Sequence, residues 1–531
     1  MSKILPYLQA SATLPLIEKI GQLFMPAAFI NDAEEEIKAM EALISENHIG
    51  GLCFFHSRQS AATNFEGKKK IVYNEQSFET LRYLIERYQK KSKHRLLIAI
   101  DAEWGLAMRI ENTPQYPYAL TLGAIQDNTD LVFQVGKQIA HDCKQAGIHY
   151  NLAPVLDINN NPKNPVIGYR SFGEDKINVT EKSLAYLKGL HSENILSSIK
   201  HFPGHGDTAI DSHLGLPIIE KSKEELLDNE LYPFKELIKE GVDSVMVGHL
   251  CVPALSNDKQ ISSSISKDMI KGFLRAELGF EGVVISDALN MHAVSKNYPI
   301  KGELEWLAFD AGNDILCFAE EVGAGIEMIS KKADKDQIEE AFKRVWTLKG
   351  KAFINEVDKP IGLSDPDPLN EEIAKASITL IQGNEEDHTT FRKNGFIGIT
   401  NAMMTGNPFF RMIAENHSFR AYSFYDTSFT RLRELVEKEE NILLAIVPPQ
   451  AKPTHNFGFS DEEIDFFNAL INTKNTVLYH FGNPYALALF DYHKAKSVVM
   501  AYQNFDAFQK VAANHFLGNL TALGKLPIHL K

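Results

Sequence analysis

Between residues 20 and 355 the chain alternates short apolar runs with longer amphipathic stretches. The runs are "LFMPAAF", "GGLCFF", "LLIAID", "HYNLAP", "SSIKHF", "SVMVGHL", "GVVISDA" and "DILCF". Such uninterrupted runs read as parallel strands buried on both faces. The stretches between them, such as "DAEEEIKAMEALISEN" and "KSKEELLDNELYPFKELIKEG", read as amphipathic helices. In the first, Ile37, Met40, Leu43 and Ile44 recur at helical spacing and Gly50 follows near its end. Eight strand–helix units over about 330 residues fit a (β/α)8 barrel rather than an open doubly wound sheet. No GxGxxG or GxxxxGK[ST] loop follows the first run, which removes support for a nucleotide-binding layout.

The rhythm stops at "NEVDKPIGLSDPDPLNEE" (355–372), whose three prolines and turn formers predict a linker. Residues 1–354 are thus expected to form the barrel and residues 373–531 a smaller α/β layered domain. Strands of that second domain are predicted at "SITLIQ", "FIGIT", "NILLAIVPP", "NTVLYHFG" and "SVVMAYQ".

Composition adds bounds. The 531 residues are 44% hydrophobic and 23% charged, ordinary values for a soluble globular protein. A net charge of −14 and a pI near 5.7 argue against nucleic-acid or anionic-membrane partners, though a local basic pocket could still hold an anionic substrate. The four cysteines (Cys53, Cys143, Cys251, Cys317) form no CxxC pair, and three lie in strand-like runs as small buried hydrophobes, which suits a reducing compartment. The N-terminal stretch lacks signal-peptide features, and no window approaches the roughly 20 apolar residues of a membrane helix. The expectation is a cytoplasmic protein, or a periplasmic or secreted one if a leader has been removed.

Candidate chemistry gathers where barrel strands end, the rim that carries active sites in this architecture. Asp101 ends the third run, with Arg109 just beyond; Asp157 and Arg170 follow the fourth. Lys200 and His201 end the fifth, His249 the sixth and Asp287 the seventh. A single strand-end carboxylate is commonly a helix cap, but five charged strand ends on one rim point to a site. After His201 runs "FPGHGDTAIDSHLGLP", a long segment without periodicity. Three readings of it are open: a structural turn built on Pro203, Gly204 and Gly206; a metal site from His201, His205, Asp211 and His213; or a proton-transfer loop. Pro203 and the two glycines forbid the helix that would put His201 and His205 on one face. Asp211 and His213 are two apart, so an extended backbone turns both to one side, and a carboxylate beside an imidazole prepares it for acid/base work. Asp287 could serve opposite them as a nucleophile.

"KHFPGHGDTAIDSHLGLP", with "IDAEWGLAMR" and "IGYRSFGED" upstream and "SDALNMHAV" downstream, closely resembles glycoside hydrolase family 3 in its β-N-acetylglucosaminidase branch. The resemblance covers nearly the whole chain and implies the two-domain form, a (β/α)8 TIM-type barrel followed by an αβα sandwich. It implies a retaining exo-glycosidase without cofactor or metal, acting on carbohydrates with a terminal N-acetylglucosamine from peptidoglycan fragments or chitin oligomers. By the same resemblance Asp287 is the nucleophile, His213 the acid/base and Asp211 its dyad partner. Asp101, Arg109, Arg170, Lys200 and His201 are the sugar-binding residues. Two departures bear on specificity: Trp104 and Leu106 stand where the family motif has Gly and Arg, and Ala288 where a second acid is common. A neutral imidazole does not repel an anion, so N-acetylglucosaminide phosphorolysis is an alternative outcome. A non-catalytic sugar-binding protein and a metal-dependent hydrolase are the further alternatives.

Overall fold

The computed structural model describes residues 4–57, 73–208, 215–256, 261–354, 361–404 and 407–530. They form two compact units: Met1–Tyr116, Val132–Ile167 and Val179–Asp365 make the larger, and Pro117–Leu131, Gly168–Asn178 and Pro366–Lys531 the smaller.

In the larger unit each predicted run holds a strand. They are β1 (Phe24–Met25), β2 (Ala27–Phe29), β3 (Gly51–Phe55), β4 (Leu97–Ile100), β5 (Tyr150–Asn151), β6 (Leu196–Phe202), β7 (Ser244–Val247), β8 (Val283–Ser286) and β9 (Leu316–Cys317). Strands β2 to β8 pair in sequence order, all parallel, and β1 pairs parallel with β9. β1 and β2 are one strand divided at Pro26, which has no N–H to give the ladder but accepts from Cys53 N at 3.0 Å. The ring closes where Ile285 bridges Ile315 and Ser286 N donates to the Ile315 carbonyl at 3.0 Å. The result is an eight-stranded parallel barrel. Every residue of β4, β6, β7 and β8 is buried, which is why these strands read as unbroken apolar runs.

The helix predicted after the first strand spans Glu34–Asn47 and buries Ile37, Met40 and Ile44. The stretch at 221–241 forms two helices instead of one, Lys223–Asp228 under a Ser222 capping box and Tyr232–Lys239. Pro233 explains the restart: without an N–H it fits a first turn and not a helix interior.

The smaller unit holds β10 (Thr379–Gln382), β11 (Ile397–Thr400), β12 (Arg420–Ser423), β13 (Asn441–Ile446), β14 (Asn475–His480) and β15 (Ser497–Met500), ordered β10-β15-β14-β13-β11-β12. Only β10 runs antiparallel to its neighbour. Helices cover both faces: Leu444 and Leu478 pack in one core with Phe467, whereas the Tyr479 ring meets Phe409 and Phe516 on the other side.

The segment expected as a linker is more ordered than its composition suggests. Residues 355–360 lie outside the described residues, but Ile361 N and Ser364 N donate to Gln145 Oε1 and Asp142 Oδ1, each at 2.7 Å. A helix, Asp367–Ser377, begins inside the predicted linker with a proline in its first turn. The boundary between units falls at Asp365/Pro366, and two excursions from the chain expected to be all barrel, Pro117–Leu131 and Gly168–Asn178, belong to the smaller unit.

Candidate active site

The strand-end groups of β4 and β6 lock together. Lys200 Nζ lies 2.7 Å from Asp101 Oδ1 and 2.8 Å from Glu103 Oε1, and Arg109 Nη2 donates to Asp101 Oδ2 at 2.9 Å. Burial on its own would raise the Asp101 pKa, but the charges of Lys200 and Arg109 outweigh it and hold the carboxyl below the usual range. Lys200 is only 2% exposed. The Arg109 guanidinium also sits over the Phe55 ring, 5.0 Å from its centroid. The site therefore contains a buried array of two carboxylates and two cations.

Asp157 anchors the next element. It is fully buried, and its carboxylate meets His201 Nδ1 at 2.7 Å, His201 N at 3.2 Å and His205 N at 2.7 Å. Burial would again raise this carboxyl, and His201 reverses the direction. His205 Nδ1 shares a hydrogen bond with Thr208 Oγ1 at 2.8 Å. Burial pushes the His205 pKa down to about 4, only partly opposed by the Asp157 and Asp287 charges, so the ring is neutral at pH 7. Each of these two rings is thus held through Nδ1, His201 by Asp157 and His205 by Thr208.

Asp287 follows β8 and is half-buried. Its backbone N donates to the Val247 carbonyl at 3.0 Å, and its Oδ1 accepts from Ala288 N at 2.7 Å. His249, after β7, fixes the following peptide: Nε2–H donates to the Ala288 carbonyl at 2.9 Å while Nδ1 accepts from Ser264 Oγ at 2.7 Å. Two neighbouring strand ends therefore orient the Asp287 carboxylate before any ligand arrives.

Of the other residues singled out in the sequence, Asp211 and His213 lie outside the described residues. Arg170 ends the short turn Gly168–Arg170, which belongs to the smaller unit. Leu106, one of the motif departures, is fully buried and fills the core. Trp104 is half-buried, with its carbonyl accepting from Tyr116 N at 2.9 Å. The next residue must be glycine: Gly105 has φ +103°, and a Cβ there would meet the Pro114 carbonyl at 2.6 Å. The partnership of Glu103 with Lys200 and the anchoring of two histidines by Asp157 are absent from the sequence reading. All four cysteines are free and buried, including the three whose strand-like runs predicted it.

A closed parallel barrel whose charged side chains collect at the C-terminal strand ends has the layout of the (β/α)8 enzymes. Residues 15–348 match the glycosyl hydrolase family 3 N-terminal domain, and the chain belongs to that family. A Beta-hexosaminidase A of Pseudoalteromonas piscicida is 30% identical over 381 residues, 65% of this chain and 61% of that protein, so the match spans less than two thirds of the relative. A Beta-hexosaminidase of Neisseria meningitidis serogroup B is 36% identical over 250 residues, 46% of this chain and 68% of its own length. Among solved structures, a glycoside hydrolase family 3 β-N-acetylglucosaminidase from Paenibacillus sp. matches with a TM-score of 0.77 at 26% identity, covering 98% of this chain and 99% of that one. A beta-glucoside phosphorylase reaches a TM-score of 0.81 at 20% identity, over 98% of this chain and 96% of that one, a likeness of fold.

Proposed function

We propose that this protein is a retaining, exo-acting β-N-acetylglucosaminidase that removes terminal non-reducing N-acetylglucosamine from peptidoglycan fragments or chitin oligomers. The observation that carries the reading is the pre-ordered Asp287 carboxylate on the same barrel rim as the Asp101–Lys200–Arg109 array, in a family 3 chain.

In the first step an Asp287 oxygen bonds to the sugar C1 while the C1–O bond to the aglycone breaks, and His213, charged and supported by Asp211, gives its proton to the departing oxygen. In the second, neutral His213 takes a proton from water, the hydroxide bonds to C1 and Asp287 leaves. Two inversions retain the anomeric configuration. Asp101, Arg109, Lys200 and His201 bind the terminal sugar. Carboxylate and guanidinium groups suit this task because their paired acceptors and donors fix hydroxyls by direction as well as by charge.

The test is Asp287→Asn assayed on an aryl β-N-acetylglucosaminide, an aryl β-glucoside and an anhydro-muropeptide. Turnover should fall by about 10³-fold or more, by analogy with loss of a covalent nucleophile, with the melting temperature unchanged. Near-wild-type rates would remove Asp287 from the mechanism. A histidine acid/base favours one second reading, phosphorolysis, because it brings no negative charge to repel phosphate. Release of sugar 1-phosphate instead of free sugar in phosphate buffer would establish it.

A further inference from the structure

Away from the barrel, the smaller unit brings three metal-ligating side chains together. Glu385 and His388 lie three apart on the helix Glu385–Lys393, and His515 is in the last turn of the helix Asp506–Leu517. Their ligand atoms all fall within 4.8 Å of one another. Glu385 Oε1 is 3.0 Å from His515 Nε2, and Glu385 Oε2 is 3.8 Å from His388 Nδ1.

The hydrogen-bond bookkeeping around His388 is incomplete in an informative way. Its Nε2 lies 2.7 Å from Ser497 Oγ, and that hydroxyl gives its own proton to the Gln382 carbonyl at 3.1 Å. Nε2 must therefore carry the hydrogen, leaving Nδ1 a bare lone pair. That Nδ1 is buried and has no hydrogen-bond partner, in a side chain 1% exposed. It faces a carboxylate oxygen, so two acceptors confront each other. A cation bound to both acceptors resolves the conflict.

The surroundings match what metal sites require. Each imidazole is oriented through its other nitrogen, His388 by Ser497 and His515 by the buried Tyr479 hydroxyl at 2.7 Å from Nδ1. For Nε2 of His515 to ligate, the ring exchanges its proton to Nδ1 and the tyrosine hydroxyl turns from donor to acceptor. Bonds of 2.0–2.2 Å in a tetrahedral site put ligand atoms about 3.3 Å apart, a value bracketed by the 3.0 and 3.8 Å separations. Two imidazoles and one carboxylate suit a borderline transition metal and not Ca²⁺ or Mg²⁺. The Glu385 side chain is 40% exposed and opens the site to solvent. Of the flanking charges, Arg392 is committed to the Phe516 carbonyl, and Asp387 to Lys496 at 2.7 Å.

We propose that Glu385, His388 and His515 form a Zn²⁺-class metal site, with water in the fourth position, that staples the helix Glu385–Lys393 to the helix Asp506–Leu517. The test is calorimetric titration of the chelator-stripped full chain with Zn²⁺ at pH 7.5, beside His388→Gln and Glu385→Gln, with thermal melts with and without Zn²⁺. Wild type should bind one equivalent more than His388→Gln, and Zn²⁺ should raise the melting temperature of wild type alone. Replacing the tetrahedral ion with Co²⁺ should give visible d–d absorption that both variants lose. The exposed Glu385→Gln serves if His388→Gln fails to fold, and should weaken binding at least 10-fold. Equal stoichiometry and equal thermal shifts in wild type and variants, including Zn²⁺ held only by histidines of the barrel rim, would overturn the proposal.

Discussion

Replacing Lys200 with methionine tests the electrostatics of the barrel rim directly. The substitution keeps most of the volume and removes one buried ammonium that lies 2.7 Å from Asp101 and 2.8 Å from Glu103. Breaking a buried pair by deleting one partner costs roughly 3–5 kcal/mol, because the remaining charge has already given up its water. Arg109 stays 2.9 Å from Asp101, so the low end applies, about 3 kcal/mol. A unit of more than 300 residues shifts by only about 1–2 °C per kcal/mol, so the melting temperature should fall by roughly 3–6 °C at pH 7. The loss must also depend on pH. In wild type the Asp101 pKa is depressed in the fold, so its stabilisation is complete above the unfolded value near 4 and is lost as pH falls through the folded value. Without Lys200, two carboxylates share a buried site and one is driven to take a proton, a penalty that grows as pH rises above 4. Differential scanning calorimetry at pH 7 and pH 4.5 should therefore show a larger deficit at pH 7. Adding Glu103→Gln to the variant should restore part of it. A melting temperature within about 2 °C of wild type at pH 7, or the same deficit at both pH values, would refute the reasoning.

Two further predictions address separate parts of the molecule. His213→Ala should slow hydrolysis of substrates with poor leaving groups by at least about 10²-fold more than activated aryl glycosides, since only the former need a proton; equal losses in kcat/KM on a leaving-group series would count against the acid/base assignment. Lys349 is fully buried, gives hydrogen bonds to Gln22 Oε1 at 2.6 Å and the Gly50 carbonyl at 3.0 Å, and is pushed down to about 7, first by burial and then by Arg95. Between that value and the unfolded one near 10.4 the unfolded chain binds the extra proton, so this lysine makes stability rise with pH. Denaturant titrations from pH 7 to 10 should show wild type gaining about 2–4 kcal/mol relative to Lys349→Met, and parallel curves would show that Lys349 does not titrate as stated.

The barrel was legible because its strands are buried on both faces and so appear as bare apolar runs. By the same physics β12 was not: it is an edge strand whose four residues run from exposed to buried, with no run to see. The prolines near 366 read as breakers, yet a proline in the first turn of Asp367–Ser377 loses only an N–H that has no helical partner there. Strand-end residue types marked Asp101, Lys200 and Asp287 as candidates. What no local pattern contains is pairing across the fold, such as Asp157 with His201, 44 residues on, or Asp101 with Lys200, 99 residues on. Leu106 shows the opposite error: it looked like an altered site residue in the motif and is core packing in the fold.

Those long-range pairings divide the labour among the strand-end carboxylates. Asp157 is enclosed and accepts from three N–H groups, which fixes His201 and the backbone leading to His205 but leaves it poorly placed to attack anything. Asp101 is a counter-ion to two cations, its lone pairs directed at Lys200 and Arg109. Because Asp101 and Glu103 balance Lys200 and Arg109, the array adds no net charge to the rim and does not bias the charge state of its neighbours at long range. Asp287 differs in kind. It stands half-exposed at a strand end, with its own N–H held by Val247 and the carbonyl of the next residue, Ala288, held by His249. Buried ion pairs of this type add little net stability, since desolvation offsets most of the attraction. Their contribution is positional: the groups are fixed before the substrate binds, so the ordering entropy is met during folding and not in the transition state.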